Sequence, residues 1–178
     1  MGSVAGAVKR HIVLIGLPGS GKSAVGRAVA ERLDAAFDDL DESIERATGQ
    51  SISEIFAARG EPAFRELERQ AMCHALVAPP RVIAPGGGWA VQAGSLESAR
   101  EASFTIYLIT DPRAASERVA GTNHRPLLEQ DQMAAMEALF ASRDRRYRLA
   151  DASVSTRGRT MESVVDEVTA LARDRGGW

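Results

Sequence analysis

The chain has 178 residues, 44% of them hydrophobic and 26% charged, with a formal net charge of −2. That length suits one domain with an ordinary buried core, and the slightly acidic balance excludes a global attraction to nucleic acid or an anionic membrane. A single cysteine excludes an internal disulfide, and with no signal-like segment and no apolar run near a membrane span the expectation is a cytoplasmic protein.

Residues 1–10, rich in glycine and alanine at their start, are expected to be a disordered end ahead of one domain over 11–175. An apolar run, Ile12 to Ile15, then leads into Gly16–Ser23, which reads Gly-x-x-x-x-Gly-Lys-Ser. A helical pattern, Ala24 to Leu33, follows. Strand, glycine-rich loop and helix in that order form a phosphate-binding loop. Gly16, Gly19 and Gly21 can take positive φ and turn backbone N–H groups onto an anion, and the helix adds its positive end. Within the loop motif, Gly19, Ser20, Gly21, Lys22, Ser23 and Ala24 are the expected nucleotide contacts. Lys22 would reach the β- and γ-phosphates, and the Ser23 hydroxyl would hold Mg²⁺. The only lysines are Lys9 and Lys22.

A short strand after Asp34 delivers Asp38, Asp39 and Asp41, followed by a helix over Glu42–Thr48 closed by Gly49. Ser51 and Glu54 read as a capping box, with Ile52, Ile55 and Phe56 as the buried face of the next helix. Gly60 breaks that helix, and Glu61 to Val77 begins another with Pro62 in its first turn. Cys73 falls within its apolar pattern and reads as a buried, inert thiol. Arg81 to Ala84 is a strand running into Gly86-Gly87-Gly88, Gly94 to Glu101 a weak helix, and Phe104 to Ile109 a buried strand. Asp111-Pro112 opens a helix carrying Arg118. A polar segment to Leu128 contains Arg125; then come a helix over Met133–Arg148, a strand over Ala152–Ser155 and a helix over Met161–Ala172. Strands alternating with helices give an α/β fold, a parallel sheet with helices on both faces and the ligand site beyond the strand C-termini.

The phosphate loop alone leaves a switch GTPase, a motor ATPase and a small-molecule kinase open. No Asn-Lys-x-Asp motif for reading guanine is present, and the small size favours the kinase. Asp39 and Asp41 are either a solvated acidic turn or, if the backbone stays extended, two carboxylates on one face, one placed for Mg²⁺ and the other for a hydroxyl proton. Arg65 and Glu68 lie at i, i+3, either a surface ion pair or an arginine held to grip a carboxylate. Three glycines after a strand are either a bare flexible loop or a place where a ligand approaches the backbone closely.

Taken together, Gly16–Ser23, Asp39-Leu40-Asp41, Phe64-Arg65-Glu66-Leu67-Glu68, Gly86–Gly88, Arg125-Pro126-Leu127 and Arg143 four residues before Tyr147 resemble the shikimate kinase family in order and spacing. The resemblance implies a P-loop kinase sandwich with about five parallel strands, a substrate-binding region near 39–68 and a lid near 119–130. It also implies a reaction, transfer of the ATP γ-phosphoryl group to the 3-hydroxyl of shikimate with Mg²⁺, by a monomer. By position, Asp41 would be the base. Asp39 would reach Mg²⁺ through water, and Arg65 and Arg143 would clamp the shikimate carboxylate. Gly86, Gly87 and Gly88 would line the ring. Lys22 and Arg125 would stabilise the transferred group, with Arg118 and Arg159 near the adenine. Trp89, directly after the glycines, raises the expectation of a bulky side chain pressing on the acceptor pocket. A related kinase for another hydroxylated acid, such as gluconate, and a non-catalytic ligand-sensing domain are the alternatives.

Overall fold

A computed structural model describes residues 8–120 and 129–178. Five parallel strands, β1 (His11–Ile15), β2 (Phe37–Asp39), β3 (Val82–Ala84), β4 (Ser103–Ile109) and β5 (Ala152–Ser155), lie in the order β2-β3-β1-β4-β5. Parallel neighbours need crossovers, which the helices supply: α1 (Lys22–Leu33), α2 (Leu40–Thr48), α3 (Ile52–Val77), α4 (Ser95–Ala99), α5 (Pro112–Ala120), α6 (Glu129–Tyr147) and α7 (Met161–Arg175).

Alternation along the central strands divides the core in two. Ile12 and Leu14 of β1 face α1 and α7, packing with Val25, Val29, Val164 and Val168. Val13 and Ile15 face the other way, onto Met72, Trp89, Met136 and Tyr147. Both faces of β1 are therefore buried, as its unbroken apolar run requires. A third cluster, Ile44, Ile55 and Phe64, ties α2 to α3 away from the sheet.

Several expectations need correction. The strand carrying the aspartates stops at Asp39, because the Asp39 side chain caps α2 by accepting from the N–H groups of Asp41 and Glu42. Asp39 and Asp41 are thus not alternate residues of one extended strand. Cys73 is exposed, since the buried positions beside it, Met72 and Ala75, take the helix stripe that faces the sheet. Phe56 is 37% exposed and covers Phe64, 4.7 Å away between ring centres, from outside. Trp89 opens a short 3₁₀ turn, Trp89–Val91, that puts its indole into the core rather than the acceptor pocket. Arg10, expected within a disordered end, is tied down: its N–H donates to the Gly176 carbonyl, and Trp178 Nε1 donates to the Arg10 carbonyl at 2.8 Å. Gly60 does interrupt the helix, with φ 75° inside α3.

One core group carries a pH-dependent cost. His11 is buried at the start of β1, with Nε2 donating to the Leu76 carbonyl at 3.2 Å and Nδ1 buried without a partner. Burial holds its pKa below the usual value, with Arg81 adding in the same direction. A lowered folded-state pKa means that the unfolded chain binds the proton more readily, so stability is full above about pH 6.5 and falls as the pH drops through that range. His11→Phe keeps a ring and removes the titration. Urea midpoints at pH 7.5 and pH 5 are expected to fall further apart in the parent protein than in this variant; equal falls would contradict the assignment.

Candidate active site

The sheet order sets the site. β1 and β3 are direct neighbours, so the loop after β1 and the glycine loop after β3 leave the same sheet edge side by side. β2, pairing with β3, brings Asp39 to the same end.

The phosphate loop has the backbone its glycines permit, with φ of 150°, 74° and 92° at Gly16, Gly19 and Gly21. Gly19 is further constrained by α5: a Cβ there would lie 2.4 Å from the Ala115 carbonyl oxygen. Gly21 caps α1, whose first turn holds no acidic residue, so the positive helix end is left for an anion. Lys22 curls over the loop, donating to the carbonyls of Gly16 at 3.1 Å and Leu17 at 2.9 Å. Burial pushes its ammonium down to about 8, with Asp41 and Asp39 opposing that fall. Ser20 is buried, and Ala24 lies exposed in the first turn of α1. Arg118 reaches back from α5 to donate to the Gly19 carbonyl at 3.0 Å. Arg159 is engaged along α7, with Ser163 and the Glu167 carboxylate. Arg125 lies outside the described residues, as does most of the expected lid.

Although the strand ends early, the two aspartates still converge on the loop. Ser23 Oγ donates to Asp39 Oδ2 at 2.5 Å. Asp41, in the first turn of α2, keeps Oδ1 buried without a hydrogen-bond partner. Burial raises its pKa, and neighbouring Asp39 raises it further against the pull of Lys22. A carboxylate so placed is a stronger base than an exposed one.

On the acceptor side, a cavity of about 350 Å³ is lined by Arg65, Arg143, Gly88, Glu61 and Gln92, among others. Arg65 is held on two edges. Its Nη1 donates to Glu68 Oε2 at 2.8 Å, while Nε and Nη2 donate to Glu61 Oε1 at 3.1 and 2.9 Å. Glu68 is 0% exposed and also accepts from Gln92 Nε2 at 2.7 Å. This is no surface pair. Removing one partner of a buried ion pair typically costs about 3–5 kcal/mol. Gly88 makes room for the guanidinium: a Cβ there would sit 2.3 Å from Arg65 Nη2. Glu68 Oε1 and Asp41 Oδ1 both face Gly86, 2.7 and 3.2 Å from where its Cβ would be, and neither has a partner. Arg143 shares the cavity with Arg65, so two cations face one small volume, with the buried Glu68 carboxylate bonded behind Arg65. That combination suits a small acid that also carries hydroxyl groups.

Three contributors had no assigned role from sequence. Glu61 stands four residues before Arg65, so helical spacing alone could have found it. Tyr147 belongs to a motif already noted, but its hydroxyl contact with the Gly87 carbonyl needs the tertiary fold. Gln92 meets Glu68 across 24 residues and leaves no local signal.

The shikimate kinase family model matches residues 18–173. Shikimate kinase of Symbiobacterium thermophilum is 38% identical over 170 residues, covering 93% of this chain and 98% of its own. Among solved structures, shikimate kinase from Acinetobacter baumannii in complex with shikimate superposes with a TM-score of 0.85 at 30% identity, covering 96% of this chain and 97% of that one. A gluconokinase from Sinorhizobium meliloti reaches a TM-score of 0.61 at 22% identity, covering 93% of each chain, a likeness of fold alone. Similarity that spans both the phosphate loop and the acceptor cavity, nearly end to end, means that this chain belongs to the shikimate kinase family.

Proposed function

We propose that the protein transfers the γ-phosphoryl group of ATP to the 3-hydroxyl of shikimate. The observation that carries this reading is the pairing of Arg65 and Arg143 over one cavity that Gly88 also lines, while the neighbouring Gly86 and Gly87 lie against the unpartnered oxygen of Asp41 and against the phosphate loop. Arg65 and Arg143 bind the acceptor carboxylate, and Glu68 with Glu61 holds Arg65 in position. The peptides of Gly86 to Gly88 lie against the ring. Asp41 Oδ1 accepts the proton from the attacking hydroxyl.

On the donor side, the loop from Gly19 to Ala24 takes the phosphates, with Lys22 turning from its carbonyl contacts onto the β- and γ-oxygens. Arg118 and Arg159 approach the adenine, and Arg125 reaches the transferred group from the lid. Ser23 and Asp39 are adjacent hard oxygen donors, suited to Mg²⁺ directly and through water. Such an ion supplies charge neutralisation on the β- and γ-oxygens when bound. No three His, Cys, Asp or Glu side chains come together as a metal cage among the described residues, so water and phosphate would complete its coordination. Phosphoryl transfer asks mainly for positioning and electrostatics, which these residues provide. The same reading has the enzyme working in the cytoplasm as a monomer, with no nucleic acid or membrane partner. A net charge of −2 gives nucleic acid and an anionic membrane no global attraction.

An ADP-release assay with ATP and a panel of hydroxy acids tests the substrate. Turnover with shikimate and none with gluconate is expected; the reverse would overturn the reading, and binding without ADP release would point to a sensor. Asp41→Asn should lower kcat by about 10²–10⁴-fold while ADP affinity, measured by titration calorimetry, stays within about twofold. Arg143→Ala should raise the shikimate KM by about 10–100-fold through loss of a charge-assisted hydrogen bond. Arg65→Ala should do the same and also lower stability by about 3 kcal/mol, because Glu68 is left buried and unpaired. Unchanged KM values in both variants would move the carboxylate clamp elsewhere.

A further inference from the structure

Tyr147 stands one helical turn beyond Arg143 at the end of α6, so the two share a helix face. Arg143 lines the acceptor cavity, whereas Tyr147 is 0% exposed, its ring 5.1 Å from that of Tyr107. The Tyr147 hydroxyl donates to the Gly87 carbonyl, and the Arg143 charge lies near it. Gly87 is pressed from its other side by the phosphate loop: a Cβ there would lie 2.9 Å from Pro18 Cδ, 3.1 Å from Pro18 N and 3.2 Å from the Gly16 carbonyl oxygen. One buried hydroxyl therefore ties the helix that carries the acceptor arginine to the middle of the glycine loop, and through that peptide to the loop that takes the phosphates.

Core packing alone does not call for this oxygen, since phenylalanine would fill almost the same volume. What the hydroxyl adds is a directional bond to a carbonyl in a segment without regular secondary structure. Burial raises the phenol's pKa, so the group stays protonated and remains a donor at neutral pH. The helix that presents it is fixed independently: Tyr107 on β4 donates to Asp144 Oδ1 at 2.9 Å, and Asp144 Oδ2 accepts from Arg148 at 2.7 Å.

We propose that Tyr147 is a positioning residue for the acceptor, its hydroxyl setting the Arg143 guanidinium and the Gly87 peptide in one register against the phosphate loop. The assignment rests on the shikimate kinase reading above. It predicts that loss of the hydroxyl loosens the acceptor site while leaving the nucleotide site as it was.

Steady-state kinetics in both substrates test this with Tyr147→Phe. Ser103→Ala serves as the control: it removes another buried hydroxyl, whose Oγ donates to the Ala99 carbonyl at 2.8 Å at the opposite end of β4. Tyr147→Phe should raise the shikimate KM about tenfold and leave the ATP KM within about twofold. Ser103→Ala should lower the melting temperature and move neither KM. Gly87→Ala, which displaces the same peptide from the Pro18 side, should also raise the shikimate KM, and it carries the test should Tyr147→Phe not fold. An unchanged shikimate KM in the folded variant, or an equal rise in both KM values, overturns the assignment. Failure of the parent protein to turn over shikimate overturns the function beneath it, a different result read from the same assay.

Discussion

Two loops that must touch backbone to backbone govern this molecule. The phosphate loop after β1 and the glycine loop after β3 leave adjacent parallel strands, and Gly87 packs on Pro18 and the Gly16 carbonyl with no room for a side chain. Donor and acceptor chemistry are thereby brought within one small volume by the sheet itself rather than by long side chains. The buried apolar faces of β1 make that registry stiff, because a close-packed core resists sliding of one strand past its neighbour.

Around this contact the charges are arranged in opposed pairs. Lys22 faces Asp39 and Asp41, and Arg65 faces Glu68 and Glu61. Each buried group moves against its ordinary ionisation for the same cause, desolvation: Lys22 falls while Asp41 and Glu68 rise. Fixed, poorly solvated charges need little reorganisation when a phosphoryl group passes between them, and that is the main contribution a protein makes to this class of reaction. Gly86 sits where the Asp41 and Glu68 oxygens converge, a closeness that a side chain there would prevent.

Much of this was legible in the sequence because it depends on local order. The phosphate loop is a contiguous motif between a strand and a helix, and the Arg65–Glu68 pair is set by helical spacing. The alternation of strands and helices dictated a parallel sheet. Errors arose where a tertiary choice overrode the local pattern. Asp39 was expected to continue a strand, but its side chain caps α2, and that turn still carries Asp41 to the site. Trp89 looked like an intruder in the pocket; the 3₁₀ turn points it into the core beside Tyr147. Cys73 matched an apolar stripe by one position and lies outside it. Asp38, an odd charge in a strand, is answered by Arg81 Nη1 at 2.8 Å across 43 residues, a pairing that no local period signals.

The central claim is that the two touching loops bring one particular hydroxyl to the γ-phosphate. The most direct measurement is the site of phosphorylation in the product formed from ATP and shikimate, read by phosphorus–proton correlation NMR. Coupling of the new phosphorus signal to the proton on carbon 3 alone is the predicted result. Phosphate on another hydroxyl, or consumption of ATP without a phosphorylated acid, would contradict it.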